Sequence, residues 1–107
     1  MSTKGWLKNG TEEWVQYTFD KPYTINESRV YWLDFEHYDY TCKPPSEWKL
    51  EYKKGSKWYP VENLTSYTVN LNLYNIVEFN PVRTKAIRIK AKLNKDISSG
   101  ILEWKVN

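Results

Sequence analysis

The sequence predicts an all-β domain, an antiparallel sandwich of two layers packed face to face. Apolar and polar side chains alternate with a period of two in several segments, and Gly, Pro, Asn and Asp separate these segments. Aromatic residues make up 17% of the 107 residues, which lets a short chain build a core. No segment carries a helical stripe, and the length fits one domain over residues 1–107.

The alternation predicts seven strands. In the first, Val15, Tyr17 and Phe19 alternate with Gln16 and Thr18. The tryptophans in or beside the strands are expected to be core or strand-packing residues, and these are Trp14, Trp32, Trp48, Trp58 and Trp104. The expected strands are roughly 13–19, 28–34, 48–53, 57–62, 74–80, 85–93 and 100–106.

The strongest cationic cluster is a row of alternate residues, Arg88, Lys90 and Lys92, within the most regular strand. On a strand these side chains share one face, with Ile87 and Ile89 on the other. We expect a solvated outer face. The alternative, a phosphate-binding stripe, requires further basic residues beside the row.

The connections divide into two groups by length. Those at 20–27, 54–56 and 81–84 are short, whereas those at 35–47, 63–73 and 94–99 are mostly longer. If successive strands reverse direction, the long connections and the lead-in 1–12 gather at one end of the sandwich. Binding groups concentrate on loops that a rigid scaffold holds, so we expect a functional end there.

The residues give little support for catalysis. His37 is the one histidine, and a Ser/His/Asp or Cys/His set would need it as the base, but nothing marks a nucleophile. Asp34, Glu36 and Asp39 could act as a glycosidase pair or bind a cation. A sandwich of this size offers a loop surface more readily than a deep cleft, so we expect a solvated acidic loop.

Aromatic residues at the expected functional end favour a sugar platform, because a ring covers the C–H face of a sugar while polar side chains bond its hydroxyls. The alternative is that the tyrosines only pack the loops. Single-stranded nucleic acid also stacks on rings, but the carboxylates of this loop would repel phosphate, so we expect no nucleic acid. The aromatic residues of the expected sugar platform are Trp6, Tyr38, Tyr40, Tyr67 and Tyr74.

No apolar stretch approaches the length of a membrane span, so we expect no transmembrane segment.

Six segments, in order, resemble the strands of discoidin-like (coagulation factor type C) domains. The closest resemblance is to accessory domains on large secreted bacterial glycoside hydrolases, including enzymes similar to β-L-arabinofuranosidases. It spans nearly the whole chain from about Trp6. The segments are GTEEWVQYTF (10–19), VYWLD (30–34), CKPPSEWKLEY (42–52), YNIVEFNPV (74–82), AIRI (86–89) and SGILEWKV (99–106).

The resemblance implies a galactose-binding-like jelly-roll sandwich, here lacking its N-terminal strand, that binds a plant or host glycan without catalysis. It also implies an extracellular or cell-surface location, as a fragment of a larger secreted protein. Lys43 stands where close relatives have arginine, and lysine is a single-point donor rather than a planar fork. The residues that match a sugar site are Trp6, Glu36, His37, Tyr38, Tyr40 and Lys43.

Related domains often hold a structural calcium ion, for which Glu103 matches a glutamate ligand near the C-terminus. The resemblance therefore implies a calcium site that includes Glu103.

Two other functions are alternatives to glycan binding. A module that only packs against its parent catalytic domain would expose a contiguous apolar patch. A protein- or cell-surface adhesion module would carry apolar loop tips, whereas the tips here are polar and charged.

Overall fold

The structure is a computed structural model, and it describes residues 6–7, 12–32, 35–37, 40–42, 44–93 and 99–107. The described residues form eight β-strands, and no helix among them is long and apolar enough to cross a lipid bilayer. The strands are β1 (Trp6–Leu7), β2 (Glu12–Trp32), β3 (Phe35–His37), β4 (Tyr40–Cys42), β5 (Glu47–Lys54), β6 (Lys57–Pro60), β7 (Tyr74–Lys92) and β8 (Ser99–Val106).

Six of these strands form one antiparallel sheet in the order β1-β8-β2-β7-β5-β6, and β3 pairs with β4 separately. The predicted all-β antiparallel class is therefore confirmed. The longest pairing joins β2 to β7 from Glu12 opposite Lys92 to Tyr31 opposite Tyr74. Alternation along both strands places most of their apolar residues on the buried face, so this two-stranded ribbon is the frame of the fold.

The ribbon bends over and thereby makes two layers. A straight strand with the 21 residues of β2 would be about 70 Å long, whereas the largest dimension of the molecule is 43 Å. Rings from the two halves meet across the interior. The Tyr17 and Trp104 centroids lie 6.3 Å apart, and those of Trp32 and Trp48 lie 5.5 Å apart.

We call the layer built from β5, β6 and the nearby halves of β2 and β7 the first layer. In it, the N-terminal half of β2 pairs with the C-terminal half of β7, which pairs in turn with β5. The second layer contains the other halves of β2 and β7, with β8 and β1 beside β2. Side chains from both layers fill the core, including Val30, Leu50, Val77, Ile87, Ile89 and Trp104.

The bend replaces two turns that the sequence predicts at 20–27 and 81–84. Both segments stay extended, and the register shifts between Thr18 and Tyr23 and between Ile25 and Glu27. Pro22 and Pro81 fall within these interruptions of the pairing, where a missing N–H costs no ladder bond. The predicted hairpin at 54–56 is confirmed, with Gly55 at a φ of 64°.

Candidate functional site

The strand ends that flank the long connections lie at one end of the sandwich. In the first layer, Glu12 and Glu47 both lie opposite Lys92. In the second layer, Trp32 lies opposite Ile101. Because the rings of Trp32 and Trp48 are in contact across the layers, these two sets of strand ends are neighbours. The expectation of one functional end agrees with this arrangement.

The backbone brings several of the predicted sugar-binding residues to this end. Trp6 pairs with Gly100, the residue before Ile101. Phe35 follows Trp32 by only three residues, which limits their separation to about 11 Å. In the β3–β4 pair, His37 lies opposite Tyr40 and Glu36 lies opposite Thr41.

Two further predicted residues, Tyr38 and Lys43, lie outside the described residues. The structure therefore neither groups nor separates the full predicted set, and all six assignments remain predictions.

An aromatic column lies beneath this end. The Trp48 ring contacts Trp32 on one side and Tyr67 on the other, with 4.9 Å between the Trp48 and Tyr67 centroids. Trp48 Nε1 donates to the carbonyl of Thr68 at 2.8 Å, and the Tyr67 hydroxyl accepts from the Leu50 N–H at 3.1 Å. Burial raises the pKa of Tyr67. Tyr67 therefore packs the loop, as the alternative for the loop tyrosines predicts.

Asn75 holds the segment before β7 against this column. Its buried side-chain oxygen accepts from Thr68 Oγ1 and from the Asn70 N–H, each at 2.7 Å. Its Nδ2 donates to the carbonyls of Val30 at 3.3 Å and Asn70 at 3.1 Å. One amide thus joins segment 68–73 to β2 and β7.

Trp32 contributes a polar group that this network does not use. Its indole Nε1 is buried and has no hydrogen-bond acceptor among the residues that the structure describes. A buried donor normally has a hydrogen-bond partner, so we expect an acceptor close to Trp32 Nε1 at this end of the sandwich.

Glu103, the predicted calcium ligand, is engaged by neighbouring side chains. Hydrogen bonds from Tyr74 and Lys105 hold its pKa below the usual range, and Lys105 Nζ lies 3.0 Å from Glu103 Oε1. The described residues contain no group of three His, Cys, Asp or Glu side chains placed to hold a metal ion. The calcium site therefore remains a prediction, and the described residues around Glu103 do not form one.

Trp14 departs from the sequence prediction, since it lies on the solvent face of the first layer rather than in the core. The residue is 55% exposed. Its position in β2 explains this, because alternate residues place Trp14 on the face of Gln16 and Thr18 and opposite to Val15 and Tyr17. The alternation was therefore the signal that could have identified it.

Trp58 packs on the sheet outside the core, because it is half-buried on the same outer face. Arg88 lies between the two indoles, with Cζ 4.4 Å from the Trp58 centroid and 5.3 Å from the Trp14 centroid. Its guanidinium also bonds Glu51, with Nε and Nη2 each 2.8 Å from the single oxygen Oε1. The charge-assisted contacts to this oxygen and the cation–ring contacts both order the Arg88 side chain, so the Trp14 ring packs on an ordered guanidinium.

No protein-family model matches the chain. Two solved structures are similar to it. A chain of the Streptococcus pneumoniae β-galactosidase BgaA matches over 99% of this chain and 78% of its own length, with a TM-score of 0.78 and 14% identity. A chitosan-binding module from a chitosanase/glucanase of Paenibacillus sp. IK-5 matches over 97% and 74%, with a TM-score of 0.73 and 14% identity. At such low identity the similarity concerns the fold, and it identifies the chain as an all-β sandwich like those of these two proteins.

Proposed function

We propose that this chain is a non-catalytic carbohydrate-binding accessory module of a secreted bacterial glycoside hydrolase. The observation that supports it most directly is the pairing of Trp6 with Gly100 beside the strand ends of the long connections, where Trp32 leads within three residues into the β3–β4 pair. The fold likeness to a β-galactosidase chain and to a chitosan-binding module agrees with this reading. The module would add no chemistry of its own and would hold its enzyme near a polymer.

In this proposal the aromatic rings of the loop end stack on the apolar face of a sugar. Trp6, Tyr38 and Tyr40 supply the rings, and His37 and Lys43 donate hydrogen bonds to ring hydroxyls. A single loop-end site on a small module binds weakly, and its use comes from tethering to the enzyme, which raises the local concentration of the polymer. Glu36 would accept from a hydroxyl on the same sugar.

A glycan array followed by calorimetry tests the proposal. We expect at least one plant or host glycan to bind, and we expect Tyr40→Ala to weaken that binding about tenfold or more through loss of stacking. Tyr59→Ala is the matched control, because Tyr59 is an exposed tyrosine of β6, at the edge of the first layer, and should leave affinity unchanged. Failure of a correctly folded chain to bind any neutral or charged glycan would overturn the proposal.

A second function is favoured by one specific observation. The segment beside β7 exposes several large apolar side chains, which are Leu64, Val69, Leu71, Leu73 and, on β7 itself, Ile76. Exposed apolar side chains concentrated in one segment are typical of a surface that contacts another domain. In this alternative the module packs on its parent catalytic domain and binds no glycan.

The two functions are separated by testing the apolar segment. If the module only packs, the double substitution Leu71→Ser and Leu73→Ser should abolish its association with the adjacent domain of the parent polypeptide. If the rings of Trp6, Tyr38 and Tyr40 bind the sugar, the same variant should keep most of its glycan affinity, because the substitutions alter none of these rings. Both residues are exposed, so the substitutions should not unfold the chain.

A further inference from the structure

The outer face of the first layer carries a row of cationic side chains along β7, with a basic neighbour on β5. Arg88, Lys90 and Lys92 follow β7 at alternate positions on this face. Lys49 of β5 lies opposite Lys90 in register, which adds a basic neighbour to the row. From Arg88 to Lys92 the row extends about 13 Å along the strand.

A groove lies at each end of this row. The smaller has a volume of about 330 Å³ and is lined by Glu47, Trp48, Lys49, Lys90 and Lys92. The larger has a volume of about 610 Å³, and its lining includes four cationic residues, Lys53, Lys54, Arg83 and Lys85. No carboxylate is among the described residues that line the larger groove.

Positive charge is therefore concentrated along this row and in its two grooves, in a chain whose net charge is only +3. Four cations line the larger groove, three line the smaller and Arg88 lies between, so the row and the two grooves together hold eight of the 16 Lys and Arg residues. Of the nearby carboxylates, Glu51 is bonded by Arg88 and Glu47 lines the smaller groove. A surface of one dominant sign attracts a ligand of the opposite sign and raises its local concentration.

Trp14 lies within this row and gives it a second kind of contact. It is opposite Lys90 in register, and the guanidinium of Arg88 lies on its ring. Solvent-exposed tryptophan on a polar sheet face is costly to hydrate and is not needed for the core. Because Arg88 fixes the ring, Trp14 offers a preformed stacking surface among cations.

We propose that this face binds an anionic polysaccharide, with lysines on its carboxylate or sulfate groups and Trp14 stacked on a sugar ring. The inference rests on the proposed function and extends it to a second surface with a defined ligand class. A polycationic polymer would be repelled by the same face. Single-stranded nucleic acid fits less well, because it uses several open rings in succession, whereas Trp58 is half-buried beneath Arg88.

Affinity electrophoresis and calorimetry of the whole chain test the inference with polygalacturonate as the carboxylate probe and dextran sulfate as the sulfate probe. Neutral dextran and oligo(dT) are the comparison ligands. We expect one or both polyanions to bind, and we expect raised salt to weaken that binding because screening acts on exposed charges. The polyanion that binds more tightly identifies the charged group that the face prefers.

The decisive variant combines Lys49→Gln, Lys90→Gln and Lys92→Gln. We expect it to bind the preferred polyanion about tenfold or more weakly, because the attraction depends on the local field. The matched control combines Lys21→Gln, Arg29→Gln and Lys105→Gln, which removes the same charge elsewhere. Lys49 and Lys105 are matched closely, since each side chain is 49% exposed and each pairs with a glutamate two positions away.

Trp14→Ala separates stacking from charge. We expect it to weaken polyanion binding about threefold or more, and to do so at high salt as well, because stacking is not screened. Circular dichroism confirms that each variant is folded.

Three results would overturn the inference. The first is equal polyanion binding by the two triple variants. The second is binding of neutral glycans alone, which leaves the loop-end site intact and removes this one. The third is tighter binding of oligo(dT) than of either polysaccharide. If no glycan of any charge binds, the proposed function fails as well. Because binding of neutral glycans alone removes only this inference, the two failures can be told apart.

Discussion

The indole Nε1 of Trp104 donates a hydrogen bond of 2.9 Å to the hydroxyl of Ser28, and both residues are fully buried. The bond joins β8 to β2 within the second layer, directly beneath the cross-layer contact of Trp104 with Tyr17. Strand pairing alone would hold the two backbones together. The hydroxyl adds a partner for the one polar atom of a large core side chain.

Ser28→Ala is therefore expected to destabilise the domain by about 1–3 kcal/mol, because it leaves a buried donor without an acceptor. Urea unfolding should show a lower midpoint with an unchanged m-value. Ser46→Ala is the control, since the Ser46 hydroxyl donates to the Lys92 carbonyl at an exposed position. Equal losses from the two substitutions would contradict the argument.

Asn75→Ala should cost about 2 kcal/mol or more, since it removes both the acceptor of two hydrogen bonds and the donor to three carbonyls. Faster hydrogen exchange of the Asn70 amide should accompany the loss, because that N–H bonds Asn75 Oδ1. Asn80→Ala provides a comparison on the same strand, where the side chain is exposed and bonds Glu62. A similar exchange rate at Asn70 in all three proteins would count against this role.

Arg88→Met should destabilise by about 2–4 kcal/mol, because it leaves the nearly buried Glu51 without its cation. Adding Glu51→Leu to that variant should restore most of the loss, since the unpaired charge is then gone. The exposed pair of Lys105 with Glu103 gives the control, and Lys105→Met should cost much less than Arg88→Met, because solvent screens this pair. Chemical denaturation of the four proteins measures all three effects.

Acid should weaken the domain through two carboxylates of the second layer. Hydrogen bonds from Arg29 and then Asn107 lower the pKa of Glu27, and those from Tyr74 and then Lys105 lower the pKa of Glu103, each from an ordinary value of 4.5. A lowered folded-state pKa stabilises the fold above the ordinary value, and that contribution disappears as pH falls through the folded-state pKa. The melting temperature should therefore fall below about pH 4.5.

The double variant Glu27→Gln and Glu103→Gln tests the source of that fall. Its melting temperature should depend less on pH in the acid range than that of the unaltered chain. High salt should narrow the difference between the two proteins, because both groups are close to solvent. An identical acid profile in the variant would assign the fall to other groups.

Much of the fold follows from alternation alone. It predicts the buried faces of β5 and β7 and the outward row at Arg88, Lys90 and Lys92, which the burial pattern confirms. In β8 it predicts Trp104 correctly but places Leu102 inward, whereas Ile101 is buried and Leu102 is exposed, because the register shifts between Tyr31 and Trp32. The alternation also shows why Trp14 is exposed, because its parity in β2 overrides the preference of tryptophan for the core.

The continuity of β2 and β7 could not be predicted from local sequence. Pro22, Pro81 and nearby Asn residues have the composition of turns, yet they occupy interruptions in a ribbon that stays extended. Whether such a segment turns or continues depends on its partner strand, which lies more than 50 residues away at Glu27 and Glu78. For the loop end, the residue types predict sugar contacts, while the positions of Tyr38 and Lys43 lie outside the described residues.

The bent ribbon also determines how the chain must fold. Each layer contains half of β2 and half of β7, so neither layer is a separate folding unit. Closing the long loop between β2 and β7 costs conformational entropy, and this cost comes before either layer is complete. It favours slow folding without stable partial structures. Loss of one half of the ribbon should therefore melt both layers in a single transition.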